Sequence, residues 1–181
     1  LHYKHNVINE IKTIEKPLFE TVKSSFSGTT PNLYCNNAIR KTDGCNIKIF
    51  VEDFSLVLEL SKCGSFSFIE NVTSYGPVND KSRIMVGKKT QLLHDYNAAL
   101  YYFLKKNKRI DNKVSRVACK KSLGRAEKWY RREIGETKFN KMNWYKIVFF
   151  LGRNDYLNLI KESCNFFYEN SEKNSIRYKI E

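Results

Sequence analysis

The sequence has few of the residues from which metal centres and disulfide frameworks are built. Its 181 residues include three histidines and five cysteines, and no two cysteines are spaced as C-x-x-C. Zinc sites usually take paired ligands at such short spacing, so we expect no structural metal and no cofactor. An odd number of widely spread cysteines is typical of free thiols in a reducing compartment. We therefore predict a cytoplasmic or nuclear location.

Long hydrophobic runs are also missing. No stretch approaches the ~20 consecutive apolar residues that a helix needs to cross a bilayer. The first residues lack a basic segment followed by an apolar one, so we expect no signal peptide. Hydrophobic residues nevertheless make up 41% of the chain, and a chain of this length buries a sizeable core. Disorder is therefore excluded as the main state.

Acidic residues are scarce relative to basic ones. Lys and Arg number 32 against 19 Asp and Glu, which gives a net charge of +13. Residues 105–132 contain twelve of the bases and only two acids, Asp111 and Glu127, so this segment alone carries +10. Such an excess repels itself in the compact state and favours a polyanionic partner.

The spacing of these bases indicates a nucleic-acid-binding surface. Lys121, Arg125, Lys128 and Arg132 stand at i, i+4, i+7 and i+11, so on a helix they share one face. Like charges at this spacing destabilise a helix unless phosphates lie opposite them, and released counterions then favour binding. Trp129 stacks on an unpaired base if it is exposed and belongs to the core if it is buried. The candidate residues are Lys105, Lys106, Lys108, Arg109, Lys113, Arg116, Lys120, Lys121, Arg125, Lys128, Trp129, Arg131 and Arg132.

Four other interpretations use the same residues or their neighbours. The basic surface can dock on an acidic protein, with the aromatic-rich residues 144–151 as part of the interface. Residues 112–135 can form a helix-turn-helix, although the turn signal is weak. Residues 105–109 also have the form of a nuclear-import signal. A membrane surface is disfavoured, because the basic helices lack a broad apolar face for lipid.

Enzyme chemistry has little support in the sequence. Glu52, Asp53, Glu59 and Glu70 lie in a segment that predicts strands, where a metal-dependent nuclease can place carboxylates. Solvated turns explain them more simply, so a nuclease is the third hypothesis, after a nucleic-acid-binding protein and a protein-interaction factor. Cys119 lies beside two lysines that can lower its pKa. A reactive thiol must also be exposed, and the position of Cys119 next to Ala118 indicates partial burial. The bias towards Asn, Lys and Ile is typical of an AT-rich genome, such as that of a virus.

The hydrophobic periodicity predicts an α+β fold. We expect helices over residues 1–26, a three-stranded antiparallel meander from the period-two runs 46–51, 55–61 and 65–72, and a fourth strand at 83–86. A helix follows from Thr90, and another capped by Asp111 or Asn112, with a kink or turn near Gly124. The run 144–151 is compatible with helix or strand. A last helix is capped by Asn154 or Asp155.

These elements divide the chain into three portions. Residues 1–88 combine helices with the meander, residues 89–170 form a basic helical portion packed on it, and residues 171–181 are a polar tail. We expect the chain to fray after Glu169.

Overall fold

The computed structural model describes residues 11–24, 32–69, 86–135, 139–152, 155–173 and 175–180. Within these ranges the protein has two strands and seven helices. The predicted α+β class and the helical C-terminal half are confirmed. The elements are β1 (Ile11–Ile14), α1 (Leu18–Ser24), α2 (Asn36–Ile39), α3 (Glu52–Leu60), β2 (Phe66–Ile69), α4 (Lys89–Lys106), α5 (Asn112–Glu133), α6 (Lys141–Phe150) and α7 (Tyr156–Asn170).

The sheet pairs two segments that are far apart in the sequence. Strands β1 and β2 run antiparallel, with Ile11 opposite Ile69 and Ile14 opposite Phe66. The prediction of helix is wrong at β1, where three of the four residues are β-branched and favour a strand. It is confirmed for α1, and residues 1–10 lie outside the described residues.

The middle of the segment that was predicted to form a three-stranded meander is a helix. Residues 52–60 form α3, in which Phe54 and Leu58 lie at helical spacing and are both fully buried. Leu56, Leu58 and Leu60 suggest period two, but Leu also favours helices, and a short apolar run fits a buried helix as well as a strand. Residues 46–51 form no strand and include a turn at residues 47–48. Among the described residues of this region β2 is the one strand, and residues 70–72 lie outside the described residues. Of the proposed fourth strand, residues 83–85 lie outside the described residues and Val86 lies in a turn.

Helix α4 lies at the centre of the fold, and the predicted helix from Thr90 is confirmed. It packs against α3, α5 and α7. Leu100, Phe103 and Leu104 are buried in a core that extends from Val22 to Ile180. The same helix also buries four polar side chains, namely Gln91, His94, Asp95 and Asn97.

Helix α5 is continuous over 22 residues. The Asp111 side chain accepts a hydrogen bond of 2.7 Å from the Lys113 N–H, which confirms the predicted cap. The helix continues through Gly124 without a turn, and the helix-turn-helix interpretation of residues 112–135 is therefore wrong. Buried residues on both sides of Gly124, from Ala118 to Tyr130, pack on one core and keep the helix in one piece.

The C-terminal third is helical and its last residues are packed. The run 144–151 belongs to α6, which begins with a capping box at Asn140, and Asp155 caps α7. The expectation of fraying after Glu169 is wrong. Helix α7 continues to Asn170, and Ile176 and Ile180 are buried in the core.

The fully buried carboxylate of Asp95 joins three segments. Its oxygens accept hydrogen bonds from the Phe50 N–H (2.6 Å), Gln91 Nε2 (2.8 Å), His94 Nδ1 (2.7 Å) and the Tyr178 hydroxyl (2.9 Å). Burial and the nearby carboxylate raise the pKa of Tyr178, which keeps the phenol protonated as a donor. The turn before α3, helix α4 and the C-terminal segment therefore meet at one group.

Asn97, two residues further along α4, makes the equivalent connection to α5 and α7. Its Nδ2 donates to the Ser122 carbonyl and to Ser163 Oγ, each at 3.0 Å. Its Oδ1 accepts from Arg125 Nη1 at 3.0 Å. These bonds set both the position and the rotation of α5 relative to α4.

Replacing Asp95 with Ala should lower the free energy of unfolding by about 3–5 kcal/mol, because several buried donors would lose their acceptor. Urea denaturation followed by circular dichroism measures the change. The control is Asp43→Ala, which removes an exposed carboxylate paired with Lys106 and should leave the free energy of unfolding nearly unchanged, because surface ion pairs contribute little. Similar losses in the two variants would contradict the central role of Asp95.

Candidate nucleic-acid interface

The exposed side of α5 carries a row of cations. We call Lys113, Lys120, Lys121, Lys128, Arg131 and Arg132 the basic face, and all six are exposed. The opposite side of the helix is buried against α4, α6 and α7. A continuous helix therefore presents these charges together, as the spacing predicts.

The acids close to this face are already engaged. Glu127, which is nearly buried, pairs with Arg131 at 2.9 Å and with Lys146 of α6 at 2.6 Å. Glu133 pairs with Lys89 at 2.6 Å. Among the described residues, no ion pair forms with the other five cations of the basic face, namely Lys113, Lys120, Lys121, Lys128 and Arg132.

The pKa of Lys121 reflects its partial burial and the positive charges close to it. Partial burial lowers this pKa, and the charges of Arg125, Lys128 and Lys23 lower it further. Lys23 lies at the end of α1, which packs on α5. The sequence analysis missed Lys23, because only the packing of α1 brings it beside the basic run.

Arg125 lies below the basic face. It is half-buried, donates to Asn97, and its guanidinium carbon lies 5.2 Å from the centre of the Tyr96 ring. Burial lowers the pKa of Arg125 to about 10. The helical spacing correctly put this residue beside Lys121 and Lys128, but its side chain serves the α4–α5 contact.

Trp129 is part of the core. Its side chain is 2% exposed, its Nε1 donates to Thr90 Oγ1 at 3.0 Å, and its ring packs on Phe167. Base stacking by an exposed Trp129 is therefore contradicted, and the core alternative is correct. Tyr130 is likewise buried, as its position beside Ala126 predicts.

The remaining candidates lie outside this row. Lys106 bonds Asp43 at 2.6 Å, and this bond raises its pKa. Lys105 lies over the Tyr101 ring and Arg116 over the Phe149 ring, and both remain exposed. Lys108 and Arg109 are exposed in the connection between α4 and α5, so they extend the cationic surface beyond the start of α5.

Of the carboxylates proposed for a nuclease, the three that the structure describes, Glu52, Asp53 and Glu59, lie on a helix and not at a strand end. Asp53 and Glu59 are on α3, and Glu59 pairs with Lys62 at 2.9 Å and with Lys106 at 3.5 Å. Glu70 lies outside the described residues. In the part of the chain that the structure describes, no group of three His, Cys, Asp or Glu side chains is placed to hold a metal ion.

The cysteines of the described residues are all free thiols of differing exposure. Burial raises the pKa of Cys119 to about 12, so the expectation that neighbouring lysines lower it is wrong. Those lysines point to solvent while the Cys119 side chain faces the core. A protonated, buried thiol is a poor nucleophile.

Brief alkylation of the native protein with iodoacetamide near pH 7 should therefore modify the exposed Cys35 first and spare the buried Cys119 and Cys164. The exposed Cys45 should react more slowly than Cys35, because partial burial and the charges of Glu52 and Asp53 raise its pKa. Peptide mass spectrometry identifies the modified thiols. The same reaction in denaturant is the control and should modify all of them. Rapid native labelling of Cys119 would contradict the packing of α5.

Gly124 interrupts the row of side chains on the exposed side of α5, where a Cβ would meet open space. Glycine within a helix is less stable than alanine by about 0.5–1 kcal/mol. Gly124→Ala should therefore raise the free energy of unfolding by that amount, measured by thermal denaturation. Gly44→Ala is the contrasting variant and should destabilise, because Gly44 has a φ of +75°. Destabilisation by Gly124→Ala would show that the space is occupied.

Two further observations bear on function. None of the helices that the structure describes has the length and apolar character required to traverse a bilayer. Comparison of the chain with protein-family models, with curated proteins and with solved structures finds no match.

Proposed function

We propose that the protein binds nucleic acid through the basic face of α5, by contacts directed mainly at phosphates. The observation that carries this proposal is the row of six exposed cations, five of which have no ion pair among the described residues. From Lys113 to Arg132 the helix rises roughly 28 Å at ~1.5 Å per residue. Several phosphates of one nucleic-acid strand fit along that length.

The residue types favour binding that is weakly dependent on base sequence. Lysine acts as a point charge towards phosphate, and four of the six cations are lysines. The two arginines, Arg131 and Arg132, lie together at the end of the helix. With Trp129 buried, the basic face itself has no aromatic platform for stacking. Phosphate contacts position a protein on nucleic acid without reading its sequence.

Reversing the charge of four exposed residues tests the proposal. The variant Lys120→Glu, Lys121→Glu, Lys128→Glu, Arg132→Glu should lose measurable binding to short labelled DNA and RNA, because the phosphates would face carboxylates. Arg125 is left unchanged, since it holds α5 to α4. For the wild type, the slope of log K against log salt should approach about −5 on duplex DNA if all six cations contact phosphates. Fluorescence anisotropy across a salt series measures both quantities.

The matched control reverses four exposed lysines elsewhere, Lys41, Lys48, Lys173 and Lys179. It changes the net charge equally and should keep the affinity within about fivefold at physiological salt, where charges act over ~8 Å. Retained binding in the α5 variant, or no binding of the wild type at low salt, would overturn the proposal. Binding of polyglutamate in place of nucleic acid would point instead to an acidic protein partner.

A further inference from the structure

Helix α6 exposes an apolar face that the fold does not cover. Trp144, Ile147 and Leu151 stand at i, i+3 and i+7, and Phe150 lies beside them. We call these four residues the α6 apolar face. Their side chains are 54%, 40%, 71% and 68% exposed, respectively. Contiguous exposed apolar surface of this kind marks a site of interaction.

The packing of α6 explains why the α6 apolar face is exposed to solvent. Met142 and Phe149 are buried on the opposite side of the helix, which packs against α5 and α7. The helix is thus apolar on both sides, and the core covers one of them. Phe139, just before α6, is also largely exposed and extends the apolar surface towards the start of the helix.

Cations border the α6 apolar face. The two lysines of α6 are already in ion pairs, Lys141 with Glu162 and Glu169 of α7 and Lys146 with Glu127 of α5. Arg116 of α5 is exposed, and no ion pair forms with it among the described residues. Lys146 of α6 and Arg131 of the basic face share the carboxylate of Glu127, so the two surfaces are contiguous. Arg116 of α5 lies 5.8 Å from the ring of Phe149, which contacts Phe150.

We propose that the α6 apolar face and its bordering cations bind the surface of an anionic lipid bilayer. A helix that places Trp, Phe, Ile and Leu on one side with basic residues around them inserts its apolar side chains at the boundary between headgroups and acyl chains. Arg116 and the unpaired cations of the adjoining basic face attract anionic headgroups. At ten residues, or roughly 15 Å, α6 lies on a bilayer and does not cross it.

Charge favours a bilayer over a second copy of the chain as the occupant of this face. A second copy of the chain would bring another net charge of +13 to the same surface. The basic helices themselves lack the apolar face that lipid binding needs, and α6 supplies it from outside the basic run.

Vesicle binding, followed by the fluorescence of Trp144, tests this inference. The protein should sediment with phosphatidylcholine vesicles containing about one third phosphatidylserine, and much less with phosphatidylcholine alone. Trp144 emission should shift to shorter wavelength on binding, while the buried Trp129 should not respond. The variant Trp144→Phe should still bind but lose the shift. Absence of binding to anionic vesicles, or a shift that survives in Trp144→Phe, would overturn the proposal.

A paired substitution separates lipid from the other occupants. Ile147→Ser with Leu151→Ser should lower the vesicle partition coefficient at least about tenfold, because two apolar side chains would no longer insert. The matched control, Leu33→Ser with Ile47→Ser, removes two fully exposed apolar residues elsewhere and should bind vesicles as the wild type does. Unchanged vesicle binding in the α6 variant would overturn the proposal.

If the α6 apolar face does not bind lipid, two further measurements identify what it binds instead. Dimers that form without vesicle binding and disappear in Ile147→Ser, Leu151→Ser would assign the face to a second copy. Loss of nucleic-acid affinity in that variant, again without vesicle binding, would assign it to bases. The charge-reversal variant on α5 is tested in the nucleic-acid assay, so failure of one proposal is recognised independently of the other.

Discussion

The buried carboxylate of Asp95 is the constraint on which the arrangement of the other elements depends. A carboxylate removed from water is costly unless donors surround it, and here the donors come from the turn before α3, from α4 itself and from the C-terminal segment. All three segments must pack close to Asp95 for its carboxylate oxygens to receive these hydrogen bonds. Tyr178 contributes from the far end of the chain, and the neighbouring Arg177 N–H donates to Gln91 Oε1 at 2.8 Å. The C-terminal segment is therefore a structural part of the fold.

The position of α4 in turn decides which bases of α5 face solvent. Asn97 bonds Arg125, the Ser122 carbonyl and Ser163, and so holds α5 and α7 against α4 in one rotation. With Arg125 and Trp129 turned inward, the remaining cations form the exposed row. A rotation of α5 by one residue position, about 100°, would bury charges that have no acceptor. The polar contacts of the core thus create the electrostatic surface on which the proposed function depends.

The basic face and the α6 apolar face are joined at Glu127, which pairs with a cation from each helix. A single surface therefore combines unpaired positive charge with exposed aromatic and aliphatic side chains. The phosphates of nucleic acid and the headgroups of an anionic bilayer can both pair with the cations of this surface. Only the bilayer also offers an apolar environment to the aliphatic side chains of Ile147 and Leu151. The two proposals use adjacent residues, and the variants on α5 and α6 separate them.

Features that depend on neighbours along the chain were predictable from the sequence. Asp111 and Asp155 cap helices because their side chains reach N–H groups two or three residues away, and the local excess of bases follows from composition alone. The other features depend on contacts between segments that are distant in the sequence. Residues 52–60 are a helix because Phe54 and Leu58 find a buried site between neighbouring elements, and β1 is a strand because β2 lies beside it. The exposure of Arg125, Trp129 and Trp144 depends on which side of each helix the core covers. A short apolar run is compatible with more than one structure, and only contacts between distant residues select among them.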